Sequence, residues 1–183
     1  MTNKNKCHPS DLVESLQKSE VKHLTAYLQL EAQDFSSVAM IVTTDFEALY
    51  TYKHGSYQQC LQLSTQNVHM LLYAARMPIV LTFSEFIQLM DDDIVSLTAL
   101  TLIVDSKCRD VDNSYSSCIT QLTLSLYPMT QCQLKLHHSV MSLFQTVDYI
   151  KVAEKRHPAK RTLDLLTLKL TECKLKVYLN ALL

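Results

Sequence analysis

Two short runs of residues carry side chains that metal ions require, namely the aspartates Asp91–Asp93 and the pair His137 and His138, which follows Cys132. Hard divalent cations bind clustered carboxylates, whereas zinc binds histidine and cysteine. Successive residues of a helix point about 100° apart, so adjacent ligands diverge from a single ion. The six cysteines also include no closely spaced pair of the kind that zinc sites use. We therefore expect no metal site and no cofactor, with a solvated acidic turn at the aspartates and a hairpin turn with exposed imidazoles at the histidines.

Catalytic signatures are missing from the sequence as well. Serine, histidine and aspartate all occur, but no nucleophile elbow or oxyanion loop surrounds any serine. The chain has one glycine, Gly55, whereas phosphate-binding loops need several glycines so that the backbone can approach the ligand. No cysteine has a local pattern that would lower its pKa. We predict that the protein is not an enzyme.

The densest cluster of basic residues lies late in the chain, and such clusters can contact phosphate groups of nucleic acids. Tyr149 is the one nearby ring on which a base could stack. The net charge is −1 and the isoelectric point is about 6.6, below the basic range of most nucleic-acid-binding domains. We favour an exposed connector over a site for an acidic peptide, and both over a nucleic-acid site. The cluster comprises Lys151, Lys155, Arg156, Lys160 and Arg161.

The composition favours an all-α protein. Of the 183 residues, 48% are hydrophobic and 19% are charged, which is typical of a globular chain. One glycine is too few for the tight turns that sheets use. The longest uncharged apolar stretch, Ile94–Val104, is shorter than the roughly 20 residues that span a membrane. Because no apolar stretch typical of a secretory signal follows the start, we expect a cytoplasmic protein, with the nucleus as the other compartment considered.

Apolar residues at helical spacing predict about seven helices, stacked as antiparallel hairpins. Residues 1–9 are expected to be a disordered lead, and residues 10–183 a single helical-repeat domain with an internal boundary near 105–114. Asp45 is predicted to be a helix N-cap. A capping signature at Thr82 predicts a helix that runs through the aspartates as far as Val104.

Two leucine-rich segments, 122–126 and 166–177, fit either a strand or a helix. In each, leucine alternates with polar residues as in a strand, yet a helical face can also be drawn. Pro128 argues against a central strand and would kink a helix. If the last segment is a helix from Thr162, it has two apolar rows and should be mostly covered, either by this chain, by a second copy or by another neighbour.

Residues 46–64 read FEALYTYKHGSYQQCLQLS and predict a helix, a turn and a second helix. Small residues at Ala48 and Cys60 would let the helices approach closely, and Gly55 would end the first helix in a left-handed conformation. The order of small, aromatic, glycine and aliphatic residues resembles one repeat of the tetratricopeptide family, without its usual tryptophan and proline. The matching residues are Ala48, Tyr52, Gly55, Tyr57, Cys60 and Leu61.

A weaker match to this motif lies at residues 131–149, where Lys135 takes the place of Lys53. The offset of 82 residues is not a multiple of the usual repeat length. The resemblance implies a degenerate array of helical hairpins that binds another protein or a peptide on its surface. The residues that we predict to line this surface are Tyr50, Tyr52, Lys53 and His54, with two of the tyrosines as candidates for the core instead.

Three functional hypotheses follow. The leading one is a non-enzymatic scaffold for protein–protein interaction. The first alternative is a regulatory or oligomerising helical tail of a larger signalling protein or enzyme, which would form a homo-oligomer through the apolar C-terminal helix, because an open repeat array needs a polar terminal cap. The second alternative is a nucleic-acid accessory domain that uses the basic cluster.

Overall fold

The computed structural model describes residues 36–73, 90–104, 119–156 and 162–182, which form six helices and no strand. The prediction of an all-α protein is therefore confirmed for these residues, and both leucine-rich segments are helical. The predicted lead at residues 1–9, the signature at Thr82 and the boundary near 105–114 lie outside the described ranges. The helices are α1 (Ser36–Lys53), α2 (Tyr57–Tyr73), α3 (Asp92–Val104), α4 (Gln121–Lys135), α5 (Val140–Arg156) and α6 (Thr162–Leu182).

The chain divides by its contacts into two units, Met1–Thr43 and Thr44–Leu183. The described residues of the first unit are the initial turns of α1. The second unit contains the rest of α1 and the five other helices, and the features below all belong to it.

Helix α1 passes through Asp45 without a break, so the predicted N-cap at this residue is wrong. The Asp45 carboxylate accepts a hydrogen bond from the hydroxyl of Ser125 in α4 instead of bonding backbone amides of its own helix. An aspartate before an apolar run usually caps a helix. Here its side chain is buried, with 1% of its surface exposed, against residues that are distant in sequence.

Helix α1 ends in a Schellman turn centred on Gly55, whose φ is +76°. The amide of Ser56 donates to the carbonyl of Thr51 at 2.9 Å, and the amide of Gly55 donates to the carbonyl of Tyr52 at 3.0 Å. This pair of bonds satisfies carbonyl groups that the last helical turn leaves without partners. The predicted left-handed glycine is confirmed.

Helix α4 ends in the same type of turn, with His137 at a φ of +51° in the place of glycine. The amide of His138 donates to the carbonyl of Gln133 at 3.0 Å, and the amide of His137 donates to the carbonyl of Leu134 at 3.3 Å. His137 follows Gly55 by 82 residues, which is also the offset between the motif at residues 46–64 and its weaker match at residues 131–149.

Helix α4 is the central helix and is buried almost throughout, although it contains Pro128. Proline has no amide hydrogen for the helical ladder. On either side of it, the hydroxyl groups of Ser125 and Thr130 bond the carbonyls of Gln121 and Leu126. Every residue from Thr123 to Gln133 is buried, and burial on all sides explains why no amphipathic pattern distinguished a helix from a strand in the sequence.

The neighbours of α4 run in both directions. The amide of Thr120, at the start of α4, donates to Asp164 at the start of α6 (2.8 Å), and His137 Nδ1 lies 2.8 Å from the hydroxyl of Tyr178 near the other ends, so these two helices are parallel. Helix α5 runs back along α4, since Thr146 bonds Gln133 across the turn. Helix α2 also opposes α4, and together with α5 and α6 it encloses one apolar core.

Helix α6 buries one of its two apolar rows more fully than the other. Leu168, Leu175 and Leu179 are buried against the other helices. In the other apolar row, Leu166 and Val177 have 37% and 65% of their surfaces exposed, so the described residues of this chain leave part of that row uncovered. The threonines Thr167 and Thr171 occupy part of the buried face because their hydroxyls bond carbonyls one turn earlier.

Candidate interaction surface

The residues predicted to line a partner-binding surface separate into an exposed group and a buried tyrosine. Lys53 and His54 are exposed, and the ring of His54 lies over that of the half-buried Tyr50 with 4.0 Å between centroids. Tyr52 has 7% of its surface exposed and belongs to the core. The accessible part of the predicted surface therefore consists of Tyr50, Lys53 and His54.

The residues of the helix–turn–helix motif lie where two helices and α4 meet. Ala48 and Cys60 are fully buried and Leu61 nearly so. The half-buried ring of Tyr57 lies edge-on to that of Tyr52, with 5.7 Å between centroids. The ammonium group of Lys135, from the end of α4, lies 4.8 Å from the centre of the Tyr57 ring, a distance typical of a cation–π contact.

The aspartate run lies at the start of a helix, so the predicted helix through it is wrong in this region. Asp91 precedes α3, and its carbonyl accepts hydrogen bonds from the amides of Ile94 and Val95. Its carboxylate accepts a second set from the hydroxyls of Tyr52 (2.8 Å) and Tyr127 (3.3 Å). Burial and the neighbouring Asp91 carboxylate raise the pKa of both tyrosines, which stay neutral donors.

The same network continues to α6 through Lys174. Its ammonium group pairs with Asp93, donates to the Tyr127 hydroxyl at 3.2 Å and lies 5.4 Å from the centre of the Tyr127 ring. Asp91 and Asp93 thus join α1, α3, α4 and α6. Among the described residues, no three histidine, cysteine, aspartate or glutamate side chains are arranged to hold a metal ion.

One member of the predicted basic cluster has a structural role. The guanidinium of Arg156 donates to the carbonyls of Leu71 (3.3 Å) and Leu72 (2.9 Å) in the last turn of α2. A cation at this end also interacts favourably with the helix dipole. Lys151 pairs with Asp148 at 3.4 Å, and Lys155 is exposed. Lys160 and Arg161 lie outside the described ranges.

An exposed aromatic group joins the outer sides of α2 and α5. The Nε2 atom of His69 lies 3.1 Å from the Tyr149 hydroxyl, which also accepts a bond from Gln145 at 2.7 Å. Tyr73 contacts the edge of the His69 ring with 6.1 Å between centroids and has 75% of its surface exposed. We call His69, Tyr73, Gln145 and Tyr149 the aromatic surface.

The sequence reasoning missed this surface, because its halves are about 80 residues apart. Only Tyr149 was noticed, as a ring near the basic cluster. One signal was present: His69 and Tyr73 are four residues apart, as are Gln145 and Tyr149, and residues at this spacing are neighbours on a helix. That signal could not show that the two pairs would meet.

A buried acid, Asp45, lies between α1, α2 and α4. Hydrogen bonds from Ser125 and Asn67 favour the ionised form of Asp45, but complete burial outweighs them and raises its pKa to about 7. Its second oxygen, Oδ2, has no hydrogen-bond partner in the described part of the chain. Asp45 is therefore an acid that is only partly ionised near neutral pH.

None of the described helices is both long and apolar enough to cross a membrane. The chain matches no family model, no curated protein and no solved structure.

Proposed function

We propose that the chain is a non-enzymatic scaffold that binds another protein or a peptide on the aromatic surface. The observation that carries this proposal is the exposure of Tyr73 beside a histidine and a second tyrosine that are already held in place. Exposed aromatic side chains are enriched at protein interfaces, where they bury much area at a small entropic cost. The bond between His69 and Tyr149 fixes both rings before a partner arrives.

The fold supports a hairpin array of the tetratricopeptide type as the framework of this scaffold. Helices α1 and α4 end in equivalent turns 82 residues apart, and each is followed at once by another helix. Helices α2 and α5 run in the same direction, since His69 meets Tyr149 and Leu72 meets Arg156. Corresponding helices of two such pairs would therefore lie side by side, which is the arrangement that presents one continuous surface.

The test is site-specific photo-crosslinking in cells of the source organism. A photoreactive amino acid replaces Gln145 in the aromatic surface or, as the matched control, Lys151, which is exposed on another face of the same helix. We expect a discrete protein adduct from position 145 that disappears when Tyr73→Ser is added, and none from position 151. Equal adducts from both positions would contradict the proposal, and adducts sensitive to nuclease would favour the nucleic-acid alternative.

The exposed row of α6 supports the oligomerising-tail alternative. Leu166 and Val177 are exposed on a face that also carries the exposed Cys173. Light scattering on the purified chain separates the two functions, because a concentration-dependent dimer would favour the tail and a monomer would favour the scaffold.

A further inference from the structure

The antiparallel packing of α2 against α4 places two buried thiols opposite each other. At one end of this antiparallel pair, Lys135 lies against the ring of Tyr57. One turn further in, Cys60 follows Tyr57 by three residues and Cys132 precedes Lys135 by three residues. This register makes the two cysteines neighbours across the interface, and each has 0% of its surface exposed. Both are free thiols in the same buried core cluster, and each shifts the pKa of the other.

We propose that Cys60 and Cys132 are a redox-sensitive dithiol pair that a peroxide converts into a disulfide joining α2 to α4. The inference does not depend on the aromatic surface or on any partner.

The surroundings of the two thiols are unequal. The hydrogen bond from Cys132, together with the hydroxyls of Ser64 and Thr51, lowers the pKa of Cys60. The same thiol–thiol bond and burial raise the pKa of Cys132. Cys60 is thus the nucleophile and Cys132 the second thiol. No local sequence pattern indicates this lowering of the Cys60 pKa, because its largest cause is Cys132, which is 72 residues away.

The reaction uses one peroxide for each disulfide. The Cys60 thiolate attacks a peroxide oxygen, the O–O bond breaks, and the leaving hydroxide takes up a proton, which leaves a sulfenic acid on Cys60. Cys132 then loses its proton and attacks the Cys60 sulfur, so that the S–S bond forms as the S–O bond breaks and water leaves. Two thiols lose two electrons and two protons, and hydrogen peroxide becomes two water molecules.

Access to the thiols comes from the end of the helix pair. Cys60 lies one turn from Ser56 and Gly55, which are exposed, and Cys132 lies one turn from the exposed Lys135. Helix ends and turns open with a smaller free energy than the whole domain. The reaction is therefore expected to be slower than that of the exposed Cys173, which serves as an internal standard for the dose of oxidant.

The test is peptide mapping of the full chain after treatment with hydrogen peroxide. Trypsin releases residues 54–76, in which Cys60 is the single cysteine, and residues 110–135, which contain Cys118 and Cys132. The mapping is therefore done in a Cys118→Ser background. We expect a cross-linked pair of these peptides that dithiothreitol separates, and an unfolding midpoint that rises by about 5 °C or more on oxidation and falls again on reduction.

The controls define the outcomes. Adding Cys132→Ser should abolish the cross-linked pair and the reversible rise. If Cys60 and Cys132 remain separately alkylatable when the peroxide treatment is continued long after Cys173 is fully oxidised, the proposal is overturned. It is also overturned if Cys60 cross-links to any cysteine other than Cys132.

Discussion

Asp45 is an acid enclosed by three helices, and its chemistry makes the stability of the fold depend on pH. Its pKa is raised from 3.8 to about 7. The folded state therefore binds a proton between these values that the unfolded chain has released. Stability is greatest where both states are protonated, falls as pH rises from about 4 to 7, and stays at its lower level above 7.

The first prediction is that Asp45→Asn removes this dependence. Asparagine keeps the shape and a hydrogen-bond acceptor for Ser125 but cannot ionise. Between pH 5 and pH 8 the Asp45 contribution lowers the free energy of unfolding of the wild type by roughly 3 kcal/mol, and this loss should be absent from the variant. Urea unfolding followed by circular dichroism at several pH values measures the difference.

The control for this prediction is Asp148→Asn, which removes an exposed acid whose side chain is 74% accessible. It should leave the pH dependence close to that of the wild type. Identical pH profiles for Asp45→Asn and the wild type would show that the buried acid does not titrate as its surroundings imply.

At the scale of single residues, the sequence predicted which side chains are buried better than it predicted which side chains they contact. Ala48, Cys60 and Leu61 are buried as the motif predicted. Nothing local could show that Tyr52 bonds Asp91, since 39 residues separate them. The capping prediction at Asp45 failed for the same reason, because a serine 80 residues away supplies the hydrogen bond.

At the scale of the helices, the residue at each turn decided whether the end of a helix could be predicted. The turn at Gly55 was predictable because glycine is the residue that most readily adopts a left-handed conformation. A hairpin turn was expected at His137 and His138 as well, but its left-handed residue was not, because a histidine at positive φ has no comparable signal. A β-carbon at position 55 would meet no atom within 4 Å, so any cost of adding one comes from the backbone alone.

The second prediction is that Gly55→Ala lowers the free energy of unfolding by about 1 kcal/mol. The cause is the strain of an L-residue at a φ of +76°. Gly55→Asn should cost less, since asparagine tolerates this conformation better than alanine does. Urea unfolding of both variants measures the difference, and equal stabilities for Gly55→Ala and the wild type would refute the argument.

Other elements were ambiguous for a physical reason. Helix α4 is enclosed by α2, α5 and α6, so all of its faces are buried and no periodic pattern remains. Helix α3 began later than expected because Asp91 precedes it and accepts the first amide hydrogen bonds. Periodicity reports burial on one side, and therefore it fails for helices that are covered on every side.

At the scale of the whole molecule, α4 connects the helices that precede it to those that follow. Met129 on α4 has 1% of its surface exposed within the shared core, whereas Met141 at the start of α5 has 79% exposed. The same residue type thus occupies opposite environments. Substituting each methionine therefore distinguishes the stability that comes from burial in the core from any general effect of removing a methionine side chain.

The third prediction is that Met129→Ala lowers the free energy of unfolding by about 2–5 kcal/mol and Met141→Ala by less than about 0.5 kcal/mol. The first change leaves a cavity in the core, and the second removes atoms that already contact water. Denaturant titration measures both. Similar losses in the two variants would mean that α4 does not hold the domain together.

The composition correctly indicated helices for the part of the chain that the structure describes, but it could not indicate which of them would meet. The aromatic surface and the pair Cys60 and Cys132 each join residues that are more than 70 positions apart. Such contacts depend on the packing of α2 against α4 and α5. No periodic pattern in a single sequence indicates which helices pack against each other.

The central position of α4 also sets an order of events during synthesis. A ribosome completes α1 and α2 before it has made any residue of α4, so the newborn N-terminal segments have no helix against which to bury Asp45 and Cys60. Helices α4 and α5, by contrast, are neighbours in the chain and can pair as soon as both have emerged. The nascent protein therefore carries an ionisable acid and a thiol in water until its second half arrives, and over this interval Cys60 lacks both its cover and the Cys132 thiol that lowers its pKa.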